Sequence, residues 1–128
     1  LAEKLDISGN IRFWGFVPMD KKFELLARGH VLVNPSVREG WGLVNIEANS
    51  MGTPVVAYRS PGLVDSVKNG FSGIICSDNT PEDMAEIIEN LLKNSLKYQK
   101  LILGAISWSK NFSWEKSRKL SLALINRL

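Results

Sequence analysis

"SVREGWGLVNIEANSMGTPVV", residues 36–56, places two carboxylates, Glu39 and Glu47, with seven residues between them and glycines at 40 and 42 just after the first. Before it stands "HVLVNPS" (30–36), an apolar run stopped by Asn34-Pro35, and its end merges into "TPVVAY" (53–58), a second apolar run. Short continuous apolar runs read as strands buried on both faces of a parallel sheet, and "LVNIEANSM" between them reads as a helix ended by Gly52. This is one βαβ unit. It sets the expected fold class: α/β, a Rossmann-like parallel sheet flanked by helices, with right-handed crossovers.

Outward from that unit the alternation continues. "IRFWGF" (11–16) is a β-prone run closed by Val17-Pro18, and "DKKFELLARG" (20–29) has an Asp20 cap position, helical spacing of Phe23, Leu26 and Ala27, and a terminal Gly29. On the other side, "RSPGLVDSVKNG" (59–70) reads as a glycine-bearing loop with a short helix, and "FSGIIC" (71–76) as a further strand. From "DNTPEDMAEIIENLLKN" onward the chain reads as helical throughout. Thr80 is the expected N-cap and Pro81 the first helical residue, with Glu82, Asp83 and Glu86 in the turns where the helix dipole favours acids. Tyr98, Leu101, Ala105, Trp108 and Phe112 advance by three and four, one apolar helix face.

The chain has 128 residues, 45% hydrophobic and 23% charged, enough for one domain with a real core and too apolar for disorder. No apolar run reaches the ~18 residues of a membrane span, and "LAEKLDISGN" has no signal-peptide pattern, so a cytoplasmic setting is expected. The same ten residues read as the end of a helix running into a turn, which suggests an excerpt of a longer chain. Cys76, the single cysteine, reads as a buried small residue. Formal net charge is only +3, yet residues 93–128 hold eight Lys/Arg against the single acid Glu115. A basic tail with Trp108, Phe112 and Trp114 has two readings: a surface for peripheral contact with an anionic membrane, or an apolar face packed on the core with solvated lysines opposite. Packing is the stronger of the two, and nucleic acid is not expected. His30 has no catalytic or metal-ligating partner set and reads as structural; no Walker-type phosphate loop is present.

In open α/β sheets ligands sit beyond the carboxyl ends of the strands, and residues 35–42 fall at that end of "HVLVN". Gly40 and Gly42 remove side chains where the chain turns into the helix, so the backbone amides near Gly42, Leu43 and Val44 can approach an anion such as phosphate. Glu47 sits about one turn inside, where a carboxylate accepts hydrogen bonds from a vicinal diol such as that of ribose. Glu39, in the loop before the helix, is placed to meet whatever extends from the phosphate. Glycines in βα turns and acids at helix starts are common in proteins that bind nothing, so spacing alone leaves the bland reading open.

The order of "GFVP", "NPSVREGWG", "IEANSMGTPVVA", "NGFSGII", "TPEDMAEIIENLL" and "FSWEKS" resembles the C-terminal domain of retaining, group 1 (family 4) glycosyltransferases of the GT-B fold, over nearly the whole chain. The resemblance implies a single nucleotide-sugar (donor) binding domain over 1–128, truncated at its N-terminus, with a C-terminal helical segment over 81–128. It implies that Glu47 binds the donor ribose and that the amides of Gly42, Leu43 and Val44 bind the diphosphate, with Gly40 and Trp41 in the same turn. Glu39 takes the catalytic position against the donor sugar. The implied reaction transfers a hexose from a UDP-, GDP- or ADP-sugar to an acceptor hydroxyl with retention of configuration. It needs no cofactor and no metal, and it serves polysaccharide biosynthesis. The acceptor, a glycan or a lipid-linked sugar, would be held by an N-terminal domain that is absent here.

Two departures qualify the match. The family's two further strands and basic pair upstream of "IRFWGF" are missing, so the chain is expected to be inactive alone and to bind donor weakly if at all, with a sheet gap that re-pairing or a dimer would close. "SPGLVDSV" carries Pro61-Gly62 and Asp65 where the family usually has two glycines and a glutamate, which puts a donor contact from that loop in doubt. The alternative function is a non-catalytic nucleotide-sugar-binding or interaction module.

Overall fold

Val55, Val56 and Ala57 have no solvent exposure at all, and they form β2 (Val55–Ala57), the middle of a parallel sheet with order β1-β2-β3 in the computed structural model, which describes residues 1–127. β1 (Leu32–Asn34) pairs Leu32 with Val55 and Asn34 with Ala57; β3 (Gly73–Ile75) pairs Gly73 with Val55 and Ile75 with Ala57. Side chains alternate between the two faces, as the period of a strand requires. Val55 and Ala57 join Ala48, Leu63, Val67 and Ile75 on one face. Val56 and Tyr58 join Cys76, Met84, Leu91 and Leu101 on the other.

The helices follow from these two cores. α1 (Met19–Arg28), α2 (Leu43–Ser50) and α3 (Leu63–Ser66) contribute Leu26, Ala48 and Leu63 to the first. α4 (Pro81–Lys93) and α5 (Ser95–Ser109) contribute Leu91 and Leu101 to the second. A fully buried leucine of this kind stabilises the fold by roughly 2–3 kcal/mol. α4 starts as its sequence reads, with the Asp83 amide donating to Thr80 Oγ1 at 3.2 Å and Pro81 in the first turn. α5 also crosses to α2: Gly52, at φ 82, faces Ile102 and Ile106, and Tyr98 donates its hydroxyl to the His30 carbonyl at 2.9 Å. His30 thus has a structural role through its backbone. Burial, with the Asp83 charge behind it, pushes the Cys76 thiol pKa up, as suits a residue used for packing.

Residues 1–7 form one helical turn closed by a Schellman motif. The Ile7 amide donates to the Ala2 carbonyl and the Asp6 amide to the Glu3 carbonyl, around Asp6 at φ 53. The helix-end reading of "LAEKLDISGN" therefore has its geometry, with an aspartate where glycine is usual.

Four expectations need correction. "IRFWGF" is extended but pairs with nothing among the described residues: Phe13 is 84% and Phe16 100% exposed. Its β-prone composition expresses fit to a half-buried pleated surface, and no such surface lies beside it. β1 is not buried on both faces; it is a sheet edge, and Val33 remains 46% exposed. Asp20 is not the cap of α1, which begins a residue earlier after Pro18, so Asp20 lies in the first turn as a dipole-favoured acid. The C-terminal segment is not continuous helix. Asn94 ends α4 and caps α5, accepting from the Lys97 amide, and residues 110–113 separate α5 from α6 (Trp114–Ile125).

That break divides the aromatic tail. Trp108 and Phe112 pack edge to face at 5.1 Å, whereas α6 buries no residue, with Trp114 92% exposed and Leu120, Leu124 and Ile125 all exposed. Among the described residues no helix is long and apolar enough to cross a membrane. Leu128, the last residue of the expected helical segment, lies outside the described residues.

Two glycines are fixed by close packing. A Cβ on Gly104 would land on the Phe71 carbonyl, and one on Gly73 would land on the Val55 carbonyl, whereas Gly9 has open space around it. Gly104→Ala is expected to lower stability by about 1–3 kcal/mol through overpacking between α5 and the turn before β3. Urea unfolding would show it as a lower midpoint, with Gly9→Ala nearly unchanged.

Candidate functional site

The carboxyl end of β1 runs through Pro35 into the loop that carries Glu39, and α2 begins immediately after it. Gly42 is the N-cap of α2 in the left-handed conformation, φ 79 and ψ 58, which disfavours any other residue there. Space excludes one as well, because a Cβ on Gly42 would lie 2.8 Å from Asn45 Nδ2. Gly40, by contrast, has open space and no left-handed backbone of its own. Its neighbour across the gap is the constrained residue: Gly62, at φ 81, lies so close that a Cβ there would meet the Glu39 carbonyl and the Gly40 backbone. The Pro61-Gly62 loop is therefore a buttress for the Glu39 turn. Ser60 Oγ donates to the Ser36 carbonyl at 2.7 Å in the same seam.

Among the described residues nothing caps α2. Glycine offers no side-chain acceptor, and among the described residues the amides of Gly42, Leu43 and Val44 donate to no protein group, while the Asn45 amide reaches back to the Gly42 carbonyl at 2.9 Å. Such orphan donors at the positive end of a helix form an anion-binding geometry. Glu47 lies about one turn along and is tied to α1: Lys22 Nζ donates to Glu47 Oε1 at 2.7 Å, with the side chains 35% and 26% exposed. Glu39 is exposed in the loop. Trp41 is half-buried and packs edge to face with Phe112 at 4.9 Å, so its ring ties the turn to the segment that follows α5.

The buried side of α2 holds a polar chain that sequence reasoning missed. Asn34 Nδ2 donates to Asn45 Oδ1 at 3.0 Å, Asn45 Nδ2 donates to Ser66 Oγ at 2.9 Å, and Ser66 Oγ donates to the Leu63 carbonyl at 3.3 Å. Asn34 Oδ1 also accepts from the Ser36 amide at 3.2 Å. Asn45 and Ser66 are fully buried, so each bond is made in a low-dielectric setting where an unmade one is costly. The sequence signal was a pair of amides, Asn45 and Asn49, on a helix face whose other buried residues, Ile46 and Ala48, are apolar. Arg59 is held through its backbone by Asn79, donating and accepting at 2.7 and 3.0 Å. An open concavity of about 460 Å³ lies beside α3 between Asp65, Lys68 and Trp108, and it shares no residue with the Glu39–Glu47 turn.

The model of the family described as "Glycosyl transferases group 1" matches residues 1–108 of this chain. The chain belongs to that family. Among curated relatives, it is 36% identical over 117 residues to the D-inositol 3-phosphate glycosyltransferase of Streptomyces bingchenggensis and 33% identical over 128 residues to that of Corynebacterium urealyticum. Those alignments cover 91% and 100% of this chain but 26% and 30% of the relatives, so the chain spans under a third of the length of the curated relatives it matches. Among solved structures, HepE of Anabaena in complex with UDP superposes with a TM-score of 0.89 at 22% identity, over 99% of this chain and 35% of that one. Sucrose-phosphate synthase of Thermosynechococcus elongatus gives 0.85 at 24%, over 99% and 33%. The fold is that of one third of a GT-B glycosyltransferase.

Asn45→Ala would remove both the acceptor of Asn34 and the donor to Ser66 and is expected to cost about 1–3 kcal/mol. Because Asn34→Ala breaks part of the same chain, the double variant should cost less than the two single losses added. Chemical denaturation of the four proteins reads both quantities.

Proposed function

We propose that this chain is the donor-binding part of a glycosyltransferase that transfers a hexose from a nucleoside diphosphate sugar to an acceptor hydroxyl, with configuration retained. The observation that carries the reading is the uncapped start of α2, with three amides lacking acceptors and Glu47 one turn further on. In this reading the diphosphate takes the Gly42, Leu43 and Val44 amides without a cation between, and the ribose hydroxyls donate to Glu47. Glu39, exposed at the turn, meets hydroxyls of the sugar near its reacting carbon. The bond from that carbon to the diphosphate breaks, a bond to the acceptor oxygen forms, and the acceptor's proton leaves with the departing diphosphate.

The family and the fold support the reaction class. HepE, which has the same fold, was solved with UDP and with UDP-glucose, which makes uridine nucleotides the first donors to try. The acceptor, a glycan or lipid-linked sugar, is assigned to residues beyond this chain, since the curated relatives are three to four times as long. The 128 residues alone should therefore bind donor weakly and not turn it over.

Titration with UDP, GDP and their glucose and mannose conjugates, followed by amide shifts, tests the site. Shifts are expected at Gly42, Leu43 and Val44. Glu47→Ala should weaken binding roughly ten- to a hundredfold, the loss of a charged acceptor worth ~1.5–3 kcal/mol. Shifts confined to the concavity beside α3 would refute the assignment.

A further inference from the structure

Lys22 is the unexplained cation of the fold. It lies in the first turn of α1, where the helix dipole disfavours positive charge, so helix stability does not account for it. Its neighbour Lys21 pairs locally with Glu24 at 2.8 Å. Among the described residues the other ion pairs, Lys21–Glu24, Arg28–Glu24, Lys93–Glu89 and Lys119–Glu115, are local pairs within one helix. The Lys22–Glu47 pair alone joins two elements, across 25 residues of sequence, and its acid is the one assigned above to the ribose.

The arrangement of donors and acceptors gives that pair a chemistry. Lys22 engages only Oε1, which leaves Glu47 Oε2 without a protein partner among the described residues. An ammonium has three protons, so two remain on Nζ after the bond to Oε1. A sugar hydroxyl is both donor and acceptor, and a lone carboxylate satisfies only its donor half. Glu47 and Lys22 together offer both halves a few ångströms apart. Resting on the donor-site reading, we propose that Lys22 is a specificity-determining residue of the ribose site. It holds Glu47 with one oxygen fixed and the other open, and it donates to a hydroxyl oxygen of the same diol. The pair thereby selects ribonucleotide over deoxyribonucleotide donors.

The test compares the full-length wild type with Lys22→Met, which keeps the stem and loses the charge, and with Lys22→Arg. Each is titrated with UDP and GDP, with their 2′-deoxy and 3′-deoxy forms, and with inorganic pyrophosphate, alongside a thermal melt. In Lys22→Met the ribonucleotide should bind about tenfold more weakly, the preference over at least one deoxy form should shrink by a similar factor, and pyrophosphate should bind as in wild type. Lys22→Arg should restore part of the preference. A general loosening of α1 against α2 would lower the melting temperature and weaken all ligands together. Unchanged discrimination in Lys22→Met, whatever happens to overall affinity, overturns the proposal. Wild type that binds pyrophosphate but does not distinguish ribose from deoxyribose also overturns it and leaves the anion site standing. Wild type that binds none of the ligands removes the donor-site reading itself, and the role of Lys22 with it.

Discussion

The buried amide chain from Asn34 through Asn45 to Ser66 is the constraint on which the site geometry depends. It links the end of β1, the first turn of α2 and the last residue of α3 with directed bonds that apolar packing alone does not supply. Each member of the chain sits where a hydrophobic side chain could also fill space, but an aliphatic residue at 45 would fix volume without fixing orientation. Directed bonds hold the turn at 36–42 at a set distance from the 60–66 loop, and the left-handed Gly42 and Gly62 let the two backbones close on each other. The exposed carboxylate at 39 and the uncapped amides at 42–44 inherit their placement from that buried geometry.

The sheet beneath is minimal, three strands of three residues, and only β2 is covered on both faces and paired on both sides. A sheet this small depends on its helices more than they depend on it. α5 has that supporting role. It reaches the second core with Leu101, lies along α2 near Gly52, touches the turn before β3 at Gly104 and sends the Trp108 indole N–H to the Ser66 carbonyl at 2.9 Å. One helix thus connects both sides of the sheet to the seam under the candidate site.

Much of this was legible in the sequence because local rules and burial agree. The β1-α2-β2 unit followed from two apolar runs flanking a helical segment, and α4 followed from Thr80-Pro81 and its acids. The errors fall where a segment's state depends on something other than its own residues. "IRFWGF" has strand composition, but a strand exists only where a neighbour offers a ladder, and β1 looks buried on both faces until its edge position is known. Of the candidate site, the two glutamates and the glycine turn could be read from spacing. Lys22 could not, because the bond to Glu47 spans 25 residues and leaves no periodic trace. Asn45 could have been found by asking why two amides, Asn45 and Asn49, sit on the buried face of α2, whereas the packing of the Trp41 ring on Phe112 leaves no trace in spacing.

Cys76 is the only cysteine of the chain, and it has no solvent exposure. A thiol so placed, with its proton held by burial, leaves the surface free of competing sulfur chemistry. The molecule is therefore a ready background for site-directed labelling. Cysteines introduced on the exposed residues of the loop before α2 and of the 60–66 loop would carry fluorophores or spin labels without Cys76 having to be removed, so distances across the seam between the two loops could be followed in solution.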